Sequence, residues 1–259
     1  MITLSIILPT LNEGKNLNIL IPSIIEEINN VKILEFEILV IDDGSTDNTK
    51  EVINNIKINN NNVELITREG EASLPLSILE GINKAKYEYV MWLDADGSMP
   101  AKSVVELLHL QIKNIDSVII GSRFVEGGGY KGIEKDGDTT FLQSINNIYN
   151  SEDSILVVFL SKIFNQILNR VLKLNILDLT SGFIVGKKDY FEDSPFVGSS
   201  YGDYFILLLI NLKKKNVDCI EMPYFCKIRM YGESKTGSNY IQLIKRGLPY
   251  LKLAFKLRK

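Results

Sequence analysis

The chain holds few of the residues that most often carry metal or nucleophilic chemistry. Among its 259 residues are two cysteines, one histidine and one tryptophan. Cys219 and Cys226 fit no zinc-ligand spacing and read as reduced, packed thiols. His109 stands in a predicted helix, distant in sequence from every motif described below, and reads as structural. Long apolar runs are missing as well. The longest, Ile155–Leu160 and Phe205–Ile210, fall far short of the roughly 20 residues a membrane helix needs. No basic leader with a small-residue cleavage site opens the sequence, which predicts a protein that is not secreted. Charge of one sign does not dominate either. A net charge of −3 gives no ground for nucleic-acid binding.

What is present is a globular composition, 45% hydrophobic and 24% charged, in a chain long enough for one large α/β domain. Apolar strands alternate with helical stripes. Thr3–Leu8, Phe36–Ile41, Val63–Thr67 and Tyr89–Leu93 read as strands. Leu17–Ile28, Val52–Ile56 and Leu76–Ala85 read as the helices between them. This order implies a mostly parallel sheet with right-handed crossovers. A helix over Val104–Ile112 and a strand over Ser117–Gly121 continue it. Glu126 to Asp153 reads as a long loop. A helix with apolar residues from Leu160 to Leu172, a helix over Phe205–Leu212 and a strand over Asp218–Phe225 follow. No internal repeat is present.

Two of the strands end on acids. Tyr89–Leu93 runs into Asp94-Ala95-Asp96-Gly97, and the second strand into Asp42-Asp43-Gly44. Ligands of open α/β sheets bind beyond the carboxyl ends of the strands, so both pairs stand where chemistry is expected. Adjacent carboxylates repel each other, and a hard divalent cation carrying a substrate phosphate neutralises them. The simpler alternative for Asp42 and Asp43 is a turn and a helix cap, and for Asp94 and Asp96 a β-turn acid pair.

Six segments in register resemble the family-2 inverting glycosyltransferases, most closely their dolichol- or polyprenyl-phosphate mannosyltransferase group. They are residues Ile6–Glu13, Ile41–Asp47, Asp94–Gly97, Gly121–Phe124, Asp178–Phe183 and Arg229–Lys235. The resemblance implies a Rossmann-like, GT-A type nucleotide-sugar-binding fold over residues 1–239. It implies a GDP-mannose or UDP-glucose donor, Mg2+ or Mn2+ held by Asp94 and Asp96, and a polyprenyl-phosphate acceptor at a membrane surface. Pro9, Thr10, Glu13 and Asp43 match the nucleotide pocket, and Arg68 matches an arginine common after the third strand. Arg229, Ser234 and Lys235 match a diphosphate-binding loop, although alone they read as a solvated basic turn, and Arg68 alone as a surface ion pair. Arg123 is assigned to the acceptor, and Ser122 and Ser181 are taken as substrate-binding.

A phosphate monoester is anionic at neutral pH and needs orientation rather than a strong base, which removes the demand for a catalytic histidine. A sugar hydroxyl would need a carboxylate, with Asp178 or Asp203 as candidates. The chain departs from the resemblance at Ser98, where a Gln is usual, and at residues 72–77, where a glycine-rich stretch is usual. It also departs at Leu207, where an acid is expected, and in lacking an Arg before Ser161. A non-catalytic nucleotide-sugar-binding subunit is the alternative these departures suggest.

Residues 240–259 carry six basic residues and no acid. Ile241, Ile244, Leu248, Leu251 and Phe255 line one helical face. That pattern fits either a basic amphipathic helix on an anionic membrane or a terminal helix packed on the core. With a lipid acceptor, the expectation is a peripheral protein on the cytoplasmic face, or one held there by a membrane-anchoring subunit.

Overall fold

The computed structural model describes residues 2–31, 35–130, 155–199, 201–232 and 250. Strands β1 (Thr3–Thr10), β2 (Glu35–Asp42), β3 (Val63–Thr67) and β4 (Tyr89–Trp92) alternate with helices α1 (Gly14–Ile28), α2 (Thr49–Asn59) and α3 (Leu74–Lys84). After them come α4 (Ala101–Lys113), β5 (Val118–Ser122), β6 (Gly129–Tyr130), α5 (Ile155–Leu172), β7 (Ile184–Lys187), α6 (Asp203–Lys214), β8 (Cys219–Pro223) and β9 (Phe225–Cys226).

Seven strands form one sheet in the order β3-β2-β1-β4-β7-β5-β8. Among the described strands only β7 runs against its neighbours, antiparallel to both β4 and β5. A parallel sheet is covered by helices on both faces, so its strands are nearly all apolar, with buried Ser5 of β1 donating to Glu37 of β2 at 2.6 Å. That is why Leu4, Ile6 and Leu8 enter one core with α1 and α4, while Ile7 enters the other with α3 and α6. Strands β2 and β4 divide the same way, with Ile38, Val40 and Met91 on one face and Leu39, Ile41 and Trp92 on the other.

The strand order reverses between β2 and β4 about β1, which opens a crevice at their carboxyl ends. The expected mostly parallel α/β sheet flanked by helices is the one found. Helix α3 starts two residues before the expected Leu76, because the Ser73 hydroxyl accepts from the Leu76 amide and Pro75 sits in the first turn. The strand expected over Asp218–Phe225 divides into β8 and β9, and β9 pairs with β6 as a separate two-stranded sheet. Strand β7 was not anticipated. Of the apolar residues of α5, Phe164, Leu168, Val171 and Leu172 pack inward, while Ile163 and Ile167 stay exposed. The greater part of the expected long loop, and the basic C-terminal segment apart from Tyr250, lie outside the described residues. The Tyr250 ring meets Phe164 edge-on at 6.0 Å between centroids.

Candidate active site

The carboxyl ends of β1 and β2 are tied together by short polar side chains. Asn12, in the left-handed conformation at φ 57°, accepts from the Thr46 amide at 2.7 Å and the Asp47 amide at 3.3 Å, while its own amide donates to Ser45 Oγ at 2.8 Å. Asp47 accepts from the Gly14 amide at 3.1 Å and from the Thr49 amide at 3.0 Å. Burial alone would raise the Asp47 carboxyl, but the Thr49 hydroxyl and these amides hold it below the ordinary carboxylate range. Thr10, buried, donates its hydroxyl to the Leu8 carbonyl at 2.9 Å, and Pro9 beside it is half-buried.

At the tip of β2, Asp42 braces the turn by accepting from the Ser45 amide at 3.1 Å. Asp43 meets Arg68, which donates through Nε at 2.6 Å, and the Ser73 amide at the start of α3. Both side chains are largely buried, so the alternative of a surface ion pair for Arg68 does not hold. A base or ribose bound at Asp43 would share its carboxylate with these donors.

At the tip of β4, Asp94 is half-buried and its carboxyl is pushed up to about 7, first by desolvation and then by the charge of Asp96. Arg123 and Arg229 pull the other way. Asp96 accepts from the Ser98 amide at 2.9 Å. Gly97 between them takes φ 79°, and a Cβ there would collide with the Met230 methyl. The absence of that carbon lets the loop after β9 close over the turn. Lys227 donates its amide to the Ser98 carbonyl at 2.8 Å. Arg229 follows, with Nη1 at 3.6 Å from Asp96 Oδ2, Nη2 on Glu13, and Nε on the Tyr231 carbonyl at 2.7 Å. Glu13, Asp94, Asp96 and Arg229 thus converge at one end of the sheet. Ser234 and Lys235 lie outside the described residues.

The site's other wall is the loop Leu177–Gly182. Arg123 grips Asp178 with two bonds of 2.8 Å, from Nε to Oδ2 and from Nη2 to Oδ1, and adds its own amide at 3.0 Å. Nη2 also donates to the Thr180 carbonyl and hydroxyl, each at 3.1 Å. Glu221 of β8 receives the Leu177 amide at 2.7 Å and the Asp178 amide at 3.0 Å, and Asn165 of α5 receives the Leu179 amide at 2.8 Å.

Three polar side chains of these loops already have partners. The Ser181 hydroxyl donates to the Gly121 carbonyl, and Ser122 is fully buried, its Oγ accepting from the Phe124 amide at 3.4 Å. Both hydroxyls are thus engaged by nearby backbone groups, which shapes the loops that carry them. Asp178 is no available base, since it is completely buried and held bidentately by Arg123. Below the site, Trp92 Nε1 donates to the Tyr204 hydroxyl at 3.3 Å, and burial raises the Tyr204 phenol. His109 lies on the exposed face of α4. Glu221, Asn165, Tyr204 and Asn16 escaped the sequence reading. For Asn16 the signal was present, because it is a polar side chain on the buried face of α1 beside Leu17 and Leu20.

The family model described as Glycosyl transferase family 2 matches residues 5–194, most of the chain and all of the loops just described except that of Arg229. The chain belongs to this family. A dolichol-phosphate mannosyltransferase from Pyrococcus furiosus is 30% identical over 257 residues, 98% of this chain and 63% of that protein. The poly(ribitol-phosphate) beta-N-acetylglucosaminyltransferase TarP of Staphylococcus aureus is 31% identical over 168 residues, 62% of this chain and 50% of that one. The family-2 chain therefore spans less than two thirds of either curated relative. Glucosyl-3-phosphoglycerate synthase from Mycobacterium tuberculosis, solved with Mn2+, UDP and phosphoglyceric acid, shares the fold. It superposes with a TM-score of 0.63 at 16% identity, over 99% of this chain and 78% of that one. Among the described residues no helix is long and apolar enough to cross a membrane.

Proposed function

We propose that this glycosyltransferase moves a hexose, mannose from GDP-mannose or glucose from UDP-glucose, onto a polyprenyl phosphate with inversion at the sugar carbon. The observation that carries the reading is the meeting of Asp94, Asp96 and Arg229 at the β4 tip. Two acids and a guanidinium there suit a donor diphosphate and its counter-cation.

The residues fit Mg2+ or Mn2+. Their oxygens are hard donors, and the mutual repulsion that helps raise Asp94 is what a divalent ion at Asp94 and Asp96 relieves. Among the described residues no group of three or more His, Cys, Asp or Glu forms a complete cage, so an ion there would share phosphate oxygens and water. When bound, it neutralises charge on the leaving diphosphate. Arg229 lies beside the same acids and supports the diphosphate from the loop after β9, with Ser234 and Lys235 proposed to extend that contact. Pro9, Thr10, Glu13, Asp43 and Arg68 frame the nucleoside at the tips of β1 and β2.

The acceptor reading is supported by the state of Asp178. With that carboxylate locked to Arg123, a nucleophile already carrying its charge fits better than a hydroxyl needing deprotonation. Arg123 then holds the loop that meets the acceptor phosphate. The long match to the mannosyltransferase points the same way. A second reading, transfer to a glycan hydroxyl, has Asp203 as its base and the TarP match behind it. We place the enzyme peripherally on the cytoplasmic face of a membrane, with the basic side chains of residues 240–259, beyond the 1–239 catalytic domain, toward the lipid surface while Tyr250 packs on α5.

The test gives purified protein labelled GDP-mannose or UDP-glucose, Mn2+, polyprenyl phosphate and a competing glycan acceptor. Label is expected in the lipid fraction, and Asp96→Ala is expected to abolish transfer while leaving the protein folded. Label entering only a glycan acceptor, or full turnover by Asp96→Ala, would overturn the reading.

A further inference from the structure

We propose that Asn16 is the positioning residue that sets Arg229 against the donor site; this rests on the diphosphate role given to Arg229 above. Asn16 lies in the first turn of α1, more than 200 residues from the loop after β9, and is 2% exposed. Its amide makes three bonds. Oδ1 accepts from the Tyr231 amide at 3.0 Å, and Nδ2 donates to the Tyr231 carbonyl at 3.1 Å and to Glu13 Oε2 at 2.7 Å. One side chain thus reads both polar groups of a single residue's backbone, as a neighbouring strand would. This requires a donor and an acceptor on one planar group, which an amide has and a carboxylate or hydroxyl of that size lacks.

Both acceptors of Asn16 are also acceptors of Arg229. The Tyr231 carbonyl receives Arg229 Nε at 2.7 Å, and Glu13 receives Arg229 Nη2. The guanidinium is therefore fixed from two sides by groups that Asn16 holds in place, and its remaining arm stands 3.6 Å from Asp96. Glu13 is buried, and Asn16 donates to one of its oxygens while Arg229 donates to the other. Tyr231 and Met230 have exposed side chains and anchor the loop by backbone bonds, so among the described residues the amide of Asn16, with the Arg229–Glu13 pair, ties this loop to α1. A fixed Arg229 meets the diphosphate without first being ordered, and such preorganisation strengthens binding.

The experiment measures binding of GDP and of UDP with Mn2+ by calorimetry, and uses whichever binds for a double-mutant cycle over Asn16→Ala and Arg229→Ala. Asn16→Ala is expected to weaken binding about tenfold, the loss of one or two buried hydrogen bonds. Asn16→Asp is expected to weaken it further, because it removes the donor and sets a charge beside Glu13. The double variant should bind no worse than Arg229→Ala alone, since Asn16 acts through Arg229. Multiplying losses would overturn the proposal while leaving the role of Arg229 intact. An Arg229→Ala variant with unchanged binding would instead overturn the diphosphate reading and this proposal with it. Hydrogen exchange on the unaltered protein gives a check that needs no variant. The Tyr231 amide should exchange slowly despite its exposed side chain, and rapid exchange would overturn the clamp.

Discussion

Asp47 shows how much one side chain can organise at the end of a parallel sheet. Its two oxygens join the start of α1 to the start of α2 through Gly14 and Thr49, with Thr49 Oγ1 donating at 2.5 Å. The carboxyl is held below its ordinary value, so its folded pKa lies under its unfolded one. The charged form is the one folding favours. Its stabilisation is present above about pH 4, the unfolded carboxylate value, and is lost as pH falls through the lower folded value. The side chain is solvent-facing, so screening keeps the charge component small and the hydrogen bonds dominate. Asp47→Ala is expected to lower stability by about 1 kcal/mol at pH 7. Denaturant melts should show the gap closing below pH 4; a gap constant from pH 3 to 7 would refute the assignment.

Among elements, α3 shows why its position on the sheet is fixed. Gly81 faces β1, and a Cβ on it would overlap the Ile7 side chain. Ile7 is fully buried and, as a β-branched residue, has little rotamer freedom to yield. Gly81→Ala gains about 1 kcal/mol of helix propensity but meets roughly 2–3 kcal/mol of overpacking, so a lower melting temperature is expected. Calorimetry that found the variant more stable would show that α3 can slide outward. The same element level explains what was readable beforehand. Strands β1, β2 and β4 lie buried on both faces, so they appear in the sequence as mostly apolar runs, and those of β2 and β4 lead into acids. Strand β7 is four residues long, includes a glycine and a lysine, and follows directly on a polar motif, so no periodicity marks it. Arg123 is visible as a cation after a strand. Its partner Asp178 stands 55 residues later, and only the pairing of β5 with β7 brings the two together. Ser122 and Ser181 illustrate the other limit, since a hydroxyl beside a glycine serves a ligand or the backbone equally well until its partner is known.

For the molecule as a whole, the proposed donor site draws on β1, β2, β4 and the loop after β9, so a ligand there would tie together segments far apart in the chain. Binding that favours only the folded state raises stability by about 2.7 kcal/mol at a hundredfold excess over the dissociation constant. For a chain of this size that corresponds to a melting shift of roughly 5–10 °C. A thermal-shift comparison of GDP and UDP sugars, each with and without Mn2+, is expected to show such a shift for one nucleotide and mainly with the metal. No shift with either would remove the donor site as described.

The single antiparallel strand also has a consequence in time. While the chain is being made, β4 lies at the open border of a four-stranded sheet, and its second neighbour β7 arrives about 90 residues later. At the usual pace of 5–20 residues per second, that border stays uncovered for roughly 5–20 s. Its residues are Tyr89, Val90, Met91 and Trp92, an uncharged apolar edge of the kind that recruits foreign strands. A nascent chain in which β4 has left the ribosome and β7 has not should therefore carry a sticky half-sheet, which depends on β7 emerging to close it.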